Sequence, residues 1–281
     1  MSILKLENLN ICIGERKLID DSSLVINPGD AILLSGKNGS GKSTIIKLLM
    51  NDLLDYSSIT GFGQIIWNKT IDLSESNNRH NFNVRTCYIP QEDYFEADTI
   101  FECCINTLLP FKTIENKAKY IFDFVKRERI YNSIFANEHG FKFTRKGKLI
   151  LQKAGIPIKQ ANIEDKKVAQ YLGMNPMQMS GGQKKIANIL CNIVKVEFCE
   201  LCIIDEPLNA LDFENVRMFS NFLTSLSQNN KKLAFLIVSH CRCLPIINKV
   251  YKIEKSKIVH DEQQSKCYSC FGEIDDNSMY I

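Results

Sequence analysis

The stretch "AILLSGKNGSGKSTIIKLLM", Ala31 to Met50, constrains this chain more than any other. Its apolar opening, with no polar alternation, reads as a strand covered on both faces. "KSTIIKLLM" then has helical spacing, with Ile45, Ile46, Leu48 and Leu49 on one side. Between them Gly36, Lys37, Asn38, Gly39, Ser40, Gly41, Lys42, Ser43 and Thr44 fit the pattern G-x-x-x-x-G-K-[ST] in full. A glycine loop running into a helix N-terminus aims unpaired backbone N–H groups at an anion, so it cradles phosphates. Lys42 can reach the β and γ phosphates and the Ser43 hydroxyl can ligate Mg²⁺. Strand, phosphate loop and helix in that order imply an α/β core that holds a nucleotide's phosphates together with Mg²⁺.

The rest of the chain reads around that core. "ILKLENLNICI", "SSLVI", "GFGQIIW" and "TCYIPQ" are strand-like, separated by turns such as "NPGD". "ESNNRHNFN" reads as a surface loop. From Thr99 to about Gly173 the pattern is mostly helical, with Ile114, Ala118, Ile121 and Val125 on one face. "ELCIIDEP" and "KLAFLIVSH" return to continuous apolar runs, as parallel strands require. The first of these ends in Asp205 and Glu206, which places two carboxylates at a strand's C-terminal edge, where α/β sheets bind ligands. Asp205 would hold Mg²⁺ and Glu206 would orient and deprotonate the attacking water.

A second glycine-bearing helix start, Ser180, Gly181, Gly182 and Gln183 in "QMSGGQKKIANIL", lies far along the chain from the first. With the phosphate loop "GKNGSGKST", Gln91 in "YIPQED", the strand "LCIIDE", "LNALD" and His240 in "IVSH", it completes an ordered motif set. In that set the chain, from about Leu4 to Val259, resembles the nucleotide-binding subunits of ABC (ATP-binding cassette) proteins. The resemblance implies a P-loop NTPase core, a mainly parallel sheet with N-terminal antiparallel strands, interrupted by an inserted helical subdomain. It implies an ABC ATPase domain over 1–260, with a catalytic core at 1–98 and 185–260, a helical subdomain at about 99–184 and a C-terminal tail at 261–281. It also implies roles: Gln91 links the metal and attacking water to the helical subdomain, and His240 contacts the γ-phosphate. Ser180, Gly181 and Gly182 serve the nucleotide of a second protomer, so that two ATPs are sandwiched in a head-to-tail dimer. The chain departs from the family pattern at Ile13, where an aromatic often meets adenine, at Met179 in place of leucine, and in the length between Gln91 and Ser180.

Two functions fit. In the first, this is the ATPase subunit of a transporter with separate transmembrane subunits, working on the cytoplasmic face of a membrane. In the second, it is a non-transport ABC ATPase acting on nucleic acid or the ribosome. The second rests on Lys112 to Lys153, with eleven Lys or Arg against four Asp or Glu, and on "HGFKFTRKGK", where Phe141 and Phe143 interleave with cations. The net charge of +3 gives nucleic acid no general support. Neither a long heptad run nor a duplicated cassette accompanies that reading, and the transport reading is preferred. "NKTID" misses the guanine motif by one residue, which argues against a GTPase. No apolar run approaches the eighteen or so residues of a membrane span, and Lys5 and Glu7 stand where a secretory signal needs an apolar stretch. Eleven cysteines without framework spacing read as reduced thiols. A four-thiolate zinc site from Cys241, Cys243, Cys267 and Cys270 is the lesser alternative.

Overall fold

The computed structural model describes residues 2–50, 59–68, 70–73, 76–132, 142–209, 211–240 and 244–261. The chain divides into two compact units, one formed by 1–86, 200–207 and 223–281, the other by 87–199 and 208–222. Cys241, Cys243, Cys267, Cys270 and Phe141 lie outside the described residues.

In the first unit, β1 (Leu4–Ile13) and β2 (Arg16–Ile26) form an antiparallel hairpin, and β4 (Ile59–Trp67) and β5 (Ile71–Asp72) extend it in the order β2-β1-β4-β5. Along β1 the alternation slips by one: Leu4 and Leu6 are buried, then Leu9 and Ile11. A bulge absorbs the slip, with Asn8 at φ +52° and a register shift against both neighbours. Opposite it, Gly63 sits at φ +129°, where a Cβ would lie 2.9 Å from the carbonyls of Glu7 and Asn8. Only glycine fits there.

The second sheet runs β10 (Lys257–His260), β9 (Lys249–Glu254), β3 (Ala31–Gly36), β8 (Ala234–Val238), β7 (Leu201–Asp205) within this unit. β9, β3, β8 and β7 are parallel, while β10 turns back on β9. Every residue of β7 and β8 is buried, as their unbroken apolar runs require. Helix α1 (Lys42–Met50) buries Ile45, Ile46 and Leu49, leaving Leu48 only half-buried.

"ESNNRHNFN" is not a loop in the structure: most of it lies in helix α2 (Ser76–Arg85). The helix is held by tertiary contacts, since Phe82 is fully buried and meets Trp67 edge-to-face at 5.8 Å. Arg79 Nη1 donates to the carbonyls of Leu48 and Leu49, satisfying the open end of α1.

β6 (Thr86–Ile89) carries the chain into the second unit, which holds α3 (Ile100–Leu108), α4 (Lys117–Glu128), α5 (Arg145–Lys153), α6 (Ile163–Leu172) and α7 (Gly181–Ile193). The last helix, α8 (Phe213–Asn229), spans the boundary back. Thr99, Asn116, Thr144 and Asn162 cap their helices with side-chain oxygens, the last in a capping box with Asp165. Asn116 starts α4 after Ile114, so Ile114 precedes the helix whose face holds the buried Ile121 and Val125.

The basic stretch is partly neutralised within the unit. Lys126 pairs with Asp165 at 2.7 Å, Lys119 with Asp123 at 3.0 Å, and Arg127 with Glu128 and Glu197. Phe143 packs where a Cβ on Gly147 would stand, so its ring is committed to the helix beside it.

Candidate nucleotide site

The phosphate loop leaves the end of β3, and register places Leu34 opposite Val238 and Asp205 opposite Val238 on the other side. The C-terminal ends of three parallel strands therefore meet, which is where open α/β sheets gather their ligand groups. Gly41 is buried at φ +105°, and a Cβ there would stand 3.3 Å from Leu18. The loop thus needs glycine for both backbone conformation and space. Lys37, Asn38 and Gly39 are exposed, Gly36, Ser40, Ser43 and Thr44 half-buried. Ser40 Oγ is buried and makes no hydrogen bond, an orphan that a phosphate oxygen would satisfy.

Lys42 is 7% exposed, and its ammonium donates to the carbonyls of Gly36 at 2.9 Å and Lys37 at 3.2 Å. Burial lowers its pKa from the ordinary lysine value, opposed by the charges of Glu206 and Asp205. Ser43 Oγ donates to Asp205 Oδ1 at 3.4 Å. A hydroxyl and a carboxylate this close are hard oxygen donors of the kind Mg²⁺ takes. Among the described residues no group of three or more His, Cys, Asp or Glu could hold a metal ion. Mg²⁺ asks less, since it commonly uses one or two carboxylates together with phosphates and water.

Glu206 follows Asp205 at φ +46°, a left-handed conformation that costs a non-glycine residue roughly 1–3 kcal/mol. Its N–H donates to Val238 O at 2.8 Å, which fixes the turn against the neighbouring strand. His240, two residues beyond Val238, is thereby brought beside it, Nε2 to Oε1 3.4 Å apart. Glu206 is 7% exposed. Burial raises its carboxyl above the ordinary carboxylate range, with His240 and Lys42 pulling it back down and Asp205 adding to the rise. A carboxylate of raised pKa is a better proton acceptor than an exposed one.

The first unit therefore brings Lys42, Ser43, Asp205, Glu206 and His240 together. Gln91 and Ser180 to Gln183 belong to the second unit. There Gln91 is exposed just after β6, and its carbonyl accepts from Lys185. Ser180 is the N-cap of α7, and its N–H donates to Gln183 Oε1 at 3.3 Å. Gly181 is exposed, and a Cβ built on it would meet nothing within 4 Å.

Two residues went unnoticed in the sequence. Arg16 opens β2 opposite Ile13, and its Nη2 donates to Gly39 O at 3.2 Å. It lines a cleft of about 400 Å³ with Lys37 to Ser40 and the β9–β10 turn, and among the described residues no aromatic lines that cleft. Nothing in the local pattern marks Arg16, because its partner is distant in sequence. Lys185 is 2% exposed. It had a signal: a lysine four residues before the buried Ile189, on the apolar side of an amphipathic helix.

The family model described as "ABC transporter" matches residues 19–209. The uncharacterized ABC transporter ATP-binding protein YfmR of Bacillus subtilis is 27% identical over 271 residues, covering 92% of this chain and 37% of its own length. The energy-coupling factor transporter ATP-binding protein EcfA2 of Mycoplasmopsis pulmonis is 24% identical over 254 residues, covering 87% of this chain and 73% of its own. The chain thus spans little more than a third of the first relative's length. Among solved structures, CbiO1 of Clostridium perfringens, part of the ABC transporter complex CbiONQ, matches in fold with a TM-score of 0.62 at 17% identity. That match covers 92% of this chain and 87% of CbiO1. The matched span and the converging phosphate loop, acidic strand end and histidine lead to one conclusion: this chain belongs to the ABC transporter family.

Proposed function

We propose that the chain is the ATP-binding and ATP-hydrolysing subunit that drives a membrane transporter, through closure of a head-to-tail dimer around two ATPs. The observation that carries the hydrolytic half is Glu206, buried beside His240 and Lys42 at the end of β7. Lys42 would hold the β and γ phosphates, with the loop's N–H groups and Ser40 around them. Ser43 and Asp205 would hold Mg²⁺, which supplies charge neutralisation on the phosphate oxygens when bound. Glu206 positions the attacking water and takes its proton, and His240 contacts the γ-phosphate. Gln91 carries the part that the family resemblance implies, toward metal and water.

Support for the dimer comes from Gly181. Among the described residues nothing requires the missing side chain there, whereas a close approach by an outside phosphate would. Support for transport comes from EcfA2, an ATP-binding protein of an energy-coupling factor transporter, and the fold is shared with CbiO1 of the CbiONQ transporter complex. No helix among the described residues is long and apolar enough to cross a membrane. We assign the partners' role to separate transmembrane chains, with this subunit on the cytoplasmic face, as the family resemblance implies. The nucleic-acid reading is less favoured, since several of the basic side chains are already paired and Phe143 is packed.

The test is a nucleotide-dependent dimer. Glu206→Gln keeps the side chain's shape but removes the base, so bound ATP persists. Light scattering is expected to show a dimer with ATP and a monomer without it. Adding Gly182→Glu sets a carboxylate against the partner's γ-phosphate and is expected to return a monomer that still binds ATP. A dimer indifferent to Gly182→Glu would exclude the clamp.

A further inference from the structure

Lys185 is a charged side chain with 2% exposure, in the second turn of the helix that begins at Ser180. A buried ammonium is costly unless its protons are taken up by hydrogen bonds and an opposite charge lies near. Here its Nζ donates to Gln91 O at 2.8 Å and Pro90 O at 3.1 Å, and Asp93 Oδ1 lies 3.7 Å away. All four residues belong to the second unit. Lys185 therefore clasps the turn that carries Gln91 from the inside.

A second link lies near the other end of α7. The thiol of Cys87, fully buried in β6, donates to Asn192 O at 3.3 Å. The segment from β6 through Gln91 is thus fastened to α7 at both ends, by Cys87 to Asn192 and by the Gln91 turn to Lys185. Two separate fastenings oppose rotation of one piece on the other as well as separation.

We propose that Lys185 is a positioning residue that makes the Gln91 turn and the Ser180 helix start move as one body. The proposal rests on the sandwich reading above, in which Gln91 serves its own protomer's ATP and Ser180 to Gly182 serve the partner's. Under that reading, engagement of the helix start by the partner's nucleotide moves Gln91 with it. Lys185 is then the physical link by which one ATP site reports on the other.

Backbone NMR relaxation and amide hydrogen exchange on the full chain test this without requiring turnover. Lys185→Met keeps an unbranched buried stem and removes the charge and donors. In the nucleotide-free protein, backbone ¹⁵N order parameters at Gln91 to Asp93 are expected to fall from about 0.85 to below about 0.6, leaving those of Ala187 to Leu190 unchanged. Unchanged order parameters at Gln91 to Asp93, or a fall spread evenly over the second unit, would overturn the tie. Lys185→Gln retains one donor group and is expected to give a smaller fall at the same residues; it serves as the reading should the Met variant fail to fold. The second arm uses Glu206→Gln with ATP. Protection is expected at Gly182 to Lys184 with or without Lys185→Met, but at Gln91 to Asp93 only when Lys185 is present. Protection of both segments without Lys185 would overturn its linking role. If ATP protects neither segment in Glu206→Gln alone, the sandwich reading fails, and the nucleotide-free arm still decides whether Lys185 holds the turn.

Discussion

The phosphate loop and the Ser180 turn are both glycine-bearing helix starts, yet their glycines answer to different constraints. Gly36, Gly39 and Gly41 all have positive φ, and Gly41 is packed against Leu18 and Ile19. Gly181 has neither a positive φ nor a neighbour within 4 Å of a built Cβ. The first loop is thus dictated by its own fold, before any ligand arrives. For the second, no described residue of the chain asks for glycine, and the proposed dimer supplies the reason. Under the proposed sandwich, the contrast separates a site that a single protomer completes from one that a second molecule completes.

The largest effect expected tests the self-contained half. Lys42→Ala removes the buried ammonium from a site where preorganised charge dominates catalysis, and ATP turnover is expected to fall by about 10²–10³-fold or more. Thermal stability should change little in the destabilising direction, because a buried cation is itself costly. Full turnover by the purified variant, measured by phosphate release, would sink the assignment of this loop.

Next in size is a direct test of the contrast between the glycines. Gly41→Ala forces a side chain into a left-handed, packed position and is expected to lower stability by roughly 1–3 kcal/mol, along with ATP affinity. Gly181→Ala, exposed at a helix start, is expected to alter stability by about 0.5 kcal/mol or less and leave ATP affinity unchanged. In the Glu206→Gln background it should nevertheless weaken the ATP-dependent dimer. Calorimetry and light scattering on the two variants would break the comparison if both glycines behaved alike.

Much of this was legible beforehand, for reasons that can be named. β3, β7 and β8 are buried on both faces, so the sequence shows unbroken apolar runs; the phosphate loop needs its glycines locally, and so displays them. What failed to show was held by distant partners. Helix α2 is polar along most of its length and is held by Phe82 against Trp67 and by Arg79 against the end of α1. Asn8 looks like an interruption of β1 until Gly63 is seen across from it. Arg16 is tied to Gly39 across twenty-three positions, and Lys185 to Gln91 across ninety-four.

A smaller effect concerns the base. Ile13 is 38% exposed at the end of β1, and among the described residues no aromatic lines the cleft beside the phosphate loop. An aromatic placed there would add stacking, worth about 1–3 kcal/mol per base. Ile13→Tyr is therefore expected to tighten ATP binding about fivefold or more, read by titration. An unchanged dissociation constant would mean that the base lies away from position 13, which would move attention to Arg16.

The smallest effect expected comes from the charge held at the acidic strand end. Burial, aided by Asp205, raises the Glu206 pKa in the folded chain, while His240 and Lys42 only partly offset it. A raised carboxylate pKa means that the folded state holds the proton more tightly than the unfolded one. Below the unfolded value of about 4.3 both states are protonated, and the ionisation costs nothing. As pH rises through the folded pKa, the unfolded chain is already ionised and the native chain must ionise in a buried place, so stability is lost. Glu206→Gln removes that loss. In nucleotide-free protein its melting temperature is expected to exceed that of the parent by a few degrees at neutral pH, with the gain shrinking as pH falls toward 4. The same substitution should also flatten the acid limb of any residual turnover. A gain independent of pH would mean that the glutamine acts through packing or the strained backbone instead. A gain that grows toward acid would reverse the sign, and Glu206 would then be a carboxylate stabilised as an ion by His240 and Lys42.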